Sequence, residues 1–261
     1  MNVLEEIIAA KRARLRVGKE ARESRLRETA IEVRESARPH ALLEALNGDG
    51  INIIAEFKRR SPSKGTIRED ADAVTIAQSY QSAGAVALSV LTEEDYFAGS
   101  LEDLRDVRKA VSLPLLRKDF IVDEYQVYES AAAGADALLL IVAALDDETL
   151  ARLLQLTEVE LGLDALVEVH DKVEMDRAVA HGAKLIGVNN RNLRTFDVTT
   201  KTSVALAGFA PLGTILVSES GLTPDEVRKL HAIGYKGFLV GETLMRAEDP
   251  GHQLRAFREK K

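Results

Sequence analysis

Eight short apolar runs constrain this chain more than any other feature. They are Asn52–Phe57, Ala85–Leu91, Leu113–Leu116, Ala137–Val142, Ala165–Val169, Leu185–Val188, Thr214–Val217 and Gly237–Val240, with amphipathic helical stretches between them. Near-continuous apolar strands need cover on both faces, as in parallel sheets enclosed by helices. Each intervening stretch is long enough for a crossover helix. Gly84, Gly134, Gly182 and Gly234 stand just ahead of four of the runs, where glycine closes a helix. Their separations of 50, 48 and 52 residues each span two strands and two helices, so a pair of β/α units repeats.

Two architectures carry this pattern, a closed (β/α)8 barrel and an open doubly wound sheet. An open sheet commonly places G-x-G-x-x-G after its first strand. Here Lys58-Arg-Arg-Ser-Pro-Ser-Lys-Gly65 follows instead. The expected fold class is therefore α/β, a (β/α)8 TIM barrel formed as one domain over 1–261, with 1–46 as a helical extension before the first strand. Residues 1–36 are charge-rich, with Val3, Leu4, Ile7 and Ile8 forming a thin apolar stripe on one helical face. The basic run Lys11–Arg16 reads as a solvated helix face.

Composition removes several function classes. There is no cysteine, which excludes disulfides, thiolate zinc sites, iron–sulfur clusters and a cysteine nucleophile. Net charge is −7, which argues against non-specific binding of nucleic acid or anionic membranes. The longest wholly apolar run, Ala137–Leu145, has nine residues. A spanning helix needs roughly 20. Two glutamates precede any basic residue in Met1–Ala10, the wrong charge order for a signal peptide. A cytoplasmic protein, monomer or weak homodimer, is expected.

In such barrels the chemistry sits at the C-terminal ends of the strands. On the first strand Ile54, Glu56 and Lys58 share one face, because strand side chains alternate. The third strand ends in Lys118-Asp-Phe120, the fifth in Glu168-Val-His170, the sixth in Asn189-Asn-Arg191 and the seventh in Glu219-Ser-Gly221. One buried ion pair would be a structural feature. Polar groups on five converging strand ends would be a costly way to build a core. Lysines and glutamates set among apolar walls are suited to general acid and base work.

The last two loops point to a bound anion. Ser220-Gly221 follows the seventh strand and Gly241-Glu242 the eighth, where phosphate sites recur in these barrels. Glycine lets backbone N–H groups come close to an anion. Ser61, on the loop after the first strand, is placed to close over the same ligand. The histidines show no metal-ligand spacing; His170 and His181 read as surface or helix-edge residues.

Several of these segments resemble the motifs of indole-3-glycerol-phosphate synthases, which serve tryptophan biosynthesis. They are Ile54-Ala-Glu-Phe-Lys-Arg-Arg-Ser-Pro-Ser-Lys-Gly65, Leu116-Arg-Lys-Asp-Phe120, Leu166-Val-Glu-Val-His170, Gly187-Val-Asn-Asn-Arg-Asn-Leu193, Ser218-Glu-Ser-Gly221 and Val240-Gly-Glu-Thr-Leu244. The likeness runs from the N-terminal extension to Asp249-Pro250. One departure is Thr199-Thr200-Lys201, where the family tends to carry an acidic residue.

The resemblance implies a lyase acting on 1-(2-carboxyphenylamino)-1-deoxyribulose 5-phosphate, with no metal or redox cofactor. It implies Lys118 as the general acid at the ketone, Glu168 as the base, and Lys58 as the acid that assists loss of hydroxyl. Glu56 would orient the lysines, with Asn189, Glu219 and Ser220 completing the polar wall. Arg191 would pair with the substrate carboxylate and Phe120 would line the aromatic pocket. Ser61, Gly221, Gly241 and Glu242 are the phosphate-site candidates. Two other functions fit the same residues: a Schiff-base aldolase using Lys118 or Lys58, and a barrel that only binds a phosphorylated metabolite.

Overall fold

The computed structural model describes residues 3–15, 19–192 and 195–258. Arg16 of the basic run and Leu193 of the fourth motif lie outside the described residues. Three helices come first: α1 (Val3–Leu15), α2 (Lys19–Ser36) and α3 (Ala41–Leu46). The barrel strands that follow are β1 (Asn52–Phe57), β2 (Ala87–Leu91), β3 (Leu115–Lys118), β4 (Ala137–Ile141), β5 (Asp164–Val169), β6 (Leu185–Asn189), β7 (Ile215–Glu219) and β8 (Gly237–Val240). All eight are parallel neighbours in chain order, and β8 pairs with β1 to close the barrel. The open-sheet alternative is thereby excluded.

Alternation along each strand divides the apolar residues between two cores. Ile54, Leu116, Leu166, Val217 and Leu239 point into the barrel, where Leu42 and Leu46 of α3 join them and plug the N-terminal end. Ile53, Leu88, Val167, Val188 and Phe238 face outward beneath the helices. The plug is tied down by Asn52, whose Nδ2 donates to the carbonyls of Leu46, Gly48 and Lys236, each at 3.1 Å. Leu46→Ala is expected to cost about 2–5 kcal/mol with little effect on activity per folded molecule. Chemical denaturation compared with the rate of the folded fraction checks this.

The helices obey local rules at both ends. Asp72, Asp123, Asp146 and Asp171 each accept a backbone N–H and so cap the helices that start after them. Gly84, Gly134, Gly182 and Gly234 all have positive φ, as closing glycines should. The chain thus returns each strand to the same end of the barrel.

Two expectations are corrected. The third strand lies at Leu115–Lys118, two residues beyond the apolar run Leu113–Leu116. Pro114 has no N–H to give to a ladder. Arg117 meanwhile fits within the strand because Asp119, Glu129 and Thr92 take its charge and hydrogen bonds. The second correction is Lys11. It is not on a solvated face; its Nζ lies 2.9 Å from Asp119 Oδ1, whose side chain is 0% exposed. Arg14 also pairs with Glu94 and Asp95 on the loop after β2. These contacts dock α1 against the C-terminal end of the barrel. No helix among the described residues is long and apolar enough to cross a membrane.

Candidate active site

A cavity of about 950 Å³ opens at the C-terminal end of the strands. Every candidate catalytic and binding residue borders it: Glu56, Lys58, Ser61, Lys118, Phe120, Glu168, Asn189, Arg191, Glu219, Ser220, Gly221, Gly241 and Glu242. Val3, Leu4 and Ile7 of α1 also line it, so the extension forms part of its wall. The rings of Phe97 and Phe120 stand 6.2 Å apart, and Leu139 and Ile141 add further apolar lining. Thr199, Thr200 and Lys201 do not border the cavity; the helix Lys201–Leu206 begins there.

Lys118 is the hub of the polar floor. Its Nζ lies 3.1 Å from Glu168 Oε2 and 3.2 Å from Glu219 Oε2, with both carboxylates almost wholly buried. Burial alone would lower the pKa of Lys118, but Glu168, Glu219 and Glu56 outweigh it and hold the ammonium charged. Glu168 is affected the other way: burial opposes its charge, and Lys118 and His170 override burial to depress its pKa. Glu219 is pushed up to about 7 by burial first, with Lys118 opposing and Glu168 and Glu56 adding to the rise. One lysine therefore sits between a firmly ionised carboxylate and one that shares a proton near neutrality. On β1 and the residue just past it, Lys58 Nζ is 2.7 Å from Glu56 Oε1.

Two glycines make room for these carboxylates. A Cβ at Gly187 would collide with Glu219 Oε1, and one at Gly241 with Glu56 Oε1. Gly241 is thus required next to Glu56 whatever it does for an anion. Gly187→Ala is expected to push Glu219 away from Lys118 and lower kcat by roughly tenfold or more, while the folded fraction stays high. Steady-state rates beside circular dichroism check this prediction. After β7 the chain turns through Ser220 at φ 69° and Gly221 at φ 71°. Serine rarely takes that conformation, and such strain gathers at functional sites.

Among the described residues, two buried polar atoms bordering the cavity have no hydrogen-bond partner, Ser61 Oγ and Glu219 Oε1. Buried polar atoms are normally satisfied, so both are open to a ligand. Ser61 is held by a short ribbon pairing Arg60–Ser61 with Gly65–Thr66. Arg191 is fixed by its backbone N–H to Asn189 Oδ1 at 3.0 Å and by Nη1 to the Phe196 carbonyl at 3.2 Å. Glu242 is turned aside by Arg246, whose Nε donates to its Oε1 at 3.1 Å.

Supporting residues escaped the sequence reading. Asn190 donates from Nδ2 to Ser218 Oγ, to the Glu219 carbonyl and to the Ser220 carbonyl, and accepts from Ser203. It locks the ends of β6 and β7 together. His170 is no surface residue: its side chain is 14% exposed and its Nε2 lies 3.3 Å from Glu168 Oε1. Its i,i+4 partner Glu174 was a readable sign, since a capped helix begins after Asp171 and places Glu174 in its first turn.

Comparison with known proteins agrees with this geometry. The family model for indole-3-glycerol phosphate synthase matches residues 4–257. An indole-3-glycerol phosphate synthase from Carboxydothermus hydrogenoformans is 46% identical over 258 residues, covering 96% of this chain and 97% of that protein. One from Bacteroides thetaiotaomicron is 45% identical, covering 98% and 97%. Among solved structures, KGPDC from Streptococcus mutans superposes with a TM-score of 0.61 at 15% identity, covering 80% of this chain and 96% of that one. A 3-hexulose-6-phosphate synthase gives 0.63, at 15% identity and covering 80% and 98%. These two likenesses concern the fold alone.

Proposed function

We propose a division of catalytic labour for this chain, which belongs to the indole-3-glycerol phosphate synthase family. It is a carboxy-lyase of tryptophan biosynthesis. It closes the ring of 1-(2-carboxyphenylamino)-1-deoxyribulose 5-phosphate, releases carbon dioxide, then removes water to leave indole-3-glycerol phosphate.

Lys118 acts first. The ring carbon bearing the carboxylate attacks the ketone, and the carbonyl electron pair moves to oxygen, which takes a proton from Nζ. That attack makes the ring carbon tetrahedral, so loss of carbon dioxide returns its bonding electrons to the ring. A cation beside the developing oxyanion lowers this barrier. The observation that carries the assignment is Lys118 held charged between Glu168 and Glu219 on the floor of the pocket, beside its apolar lining.

Dehydration needs an acid at the hydroxyl and a base at the ring proton. Lys58, aimed by Glu56, protonates the leaving hydroxyl, and Glu168 removes the proton. Asn189, Glu219 and Ser220 complete the polar wall. Phe120 packs on the aryl ring and Arg191 meets its carboxylate with a planar fork. Ser61 supplies a hydroxyl, and Gly221, Gly241 and Glu242 supply backbone N–H groups, to the phosphate. The unpartnered Ser61 Oγ supports this end of the site. Residues 1–46 serve as an extension of a single barrel domain, and within it Val3, Leu4 and Ile7 of α1 form part of the cavity wall. Every proton in this scheme is moved by the chain's own side chains.

The test is fluorescence-monitored turnover of the anilino-deoxyribulose phosphate, since the indole product fluoresces. Fluorescence should rise in proportion to carbon dioxide released. A covalent adduct trapped by borohydride, without indole formation, would instead favour the Schiff-base aldolase.

A further inference from the structure

Charges of alternating sign run outward from the floor of the cavity. Lys118 meets Glu168 Oε2, Glu168 Oε1 lies 3.3 Å from His170 Nε2, and His170 Nδ1 lies 3.0 Å from Glu174 Oε2. The same Glu174 oxygen accepts the backbone N–H of His170 at 2.8 Å. Imidazole and strand end are thus fixed by one carboxylate on the first turn of the helix Lys172–Ala180. His170 is mostly buried yet does not border the cavity, so its contact with the substrate pocket runs through Glu168.

We propose that His170, anchored by Glu174, is a positioning residue whose charge, held 3.3 Å from Glu168 Oε1, keeps Glu168 ionised while Lys118 gives up its proton. This rests on Glu168 being the base of the dehydration step. When Lys118 protonates the ketone it becomes neutral, and Glu168 loses the nearer of its two cations. An isolated buried carboxylate would then draw a proton back and stall the next step. The imidazolium on the far oxygen prevents this, because its charge does not change during the cycle.

The groups facing His170 are Glu168 from β5 and Glu174 from the helix that follows; beyond them Lys118 and Glu219 face Glu168. Burial alone would discharge the imidazole, but Glu168 and Glu174 raise its pKa to about 10. It remains a cation through the working pH range, while Glu219 titrates near neutrality, so the acid limb that reports Glu168 is the lower of two.

Single-turnover rates against pH test the proposal in His170→Gln, with His170→Lys as the charge-retaining rescue. Glutamine keeps a donor but no charge, so the lower limb should move up by about one pH unit, with a roughly tenfold lower rate on that limb. KM should stay within about twofold. His170→Lys should return the limb towards its original place. An unshifted limb in His170→Gln would overturn the proposal. Should His170→Gln fail to fold, a 15N titration of the intact enzyme decides: a protonated ring at pH 8 supports the proposal and a neutral ring overturns it. Glu168→Gln separates the two levels. If it retains full single-turnover rate, the assignment of the base fails; if it collapses while His170→Gln shows no shift, only the positioning role fails.

Discussion

Lys118→Ala is expected to lower kcat by about 10²–10⁴-fold, the usual contribution of a positioned acid, while substrate affinity stays within roughly tenfold. Lys118 is the shared partner of Glu168 and Glu219; in the proposed scheme it meets the reacting carbonyl, and the proposed phosphate contacts lie on other loops. Its removal also leaves two buried carboxylates without their common cation, and one of them will take up a proton. Raising the pH would therefore not restore the rate. Affinity and single-turnover rate must be measured separately, because KM equals Kd only when chemistry is slow. A variant with near-normal kcat would transfer the first proton transfer to Lys58.

Asp119→Ala should show the largest effect on stability. Asp119 accepts Lys11 at 2.9 Å, Arg117 at 3.0 Å, Thr92 at 2.6 Å and the Phe120 N–H at 2.8 Å. Breaking a buried pair by removing one partner costs about 3–5 kcal/mol, or a fall in Tm of roughly 6–20 °C for a chain of this size. The α1 wall would loosen with it, so KM should rise. Burial alone would raise the pKa of Asp119, but Arg117 and Lys11 override it and hold the carboxyl down at about 2. A depressed carboxyl pKa contributes stability above its unfolded value and loses that contribution as pH falls through the folded value. The gap in stability between the parent and Asp119→Ala should therefore be flat from about pH 5 to 8 and narrow on acidification. Thermal unfolding across that range measures it.

The barrel was legible because its strands are almost uniformly apolar while the crossovers carry helix caps and closing glycines. Alternation then placed Glu56, Lys118, Glu168 and Glu219 on inward faces at one end. Less legible were groups whose character depends on a partner from another element. Lys11 looked like part of a solvated basic run because Asp119, which buries it, lies on a different element. Arg117 hid the end of β3 for a similar reason, since a charged residue counts against a strand until its counter-ions are known. His170 was misread because the test applied to it was metal-ligand spacing; its partners are carboxylates. Gly187 and Gly241 carry no local sign of the carboxylates leaning over them.

The central claim is that Lys118 drives ring closure and decarboxylation while Lys58 drives loss of water. Parallel single-turnover traces of carbon dioxide release and indole fluorescence test it most directly, in the parent, Lys118→Ala and Lys58→Met. Both traces should collapse together in Lys118→Ala. In Lys58→Met carbon dioxide should be released well ahead of fluorescence, as the undehydrated intermediate accumulates. Equal slowing of both traces in Lys58→Met, or normal carbon dioxide release from Lys118→Ala, would contradict the division.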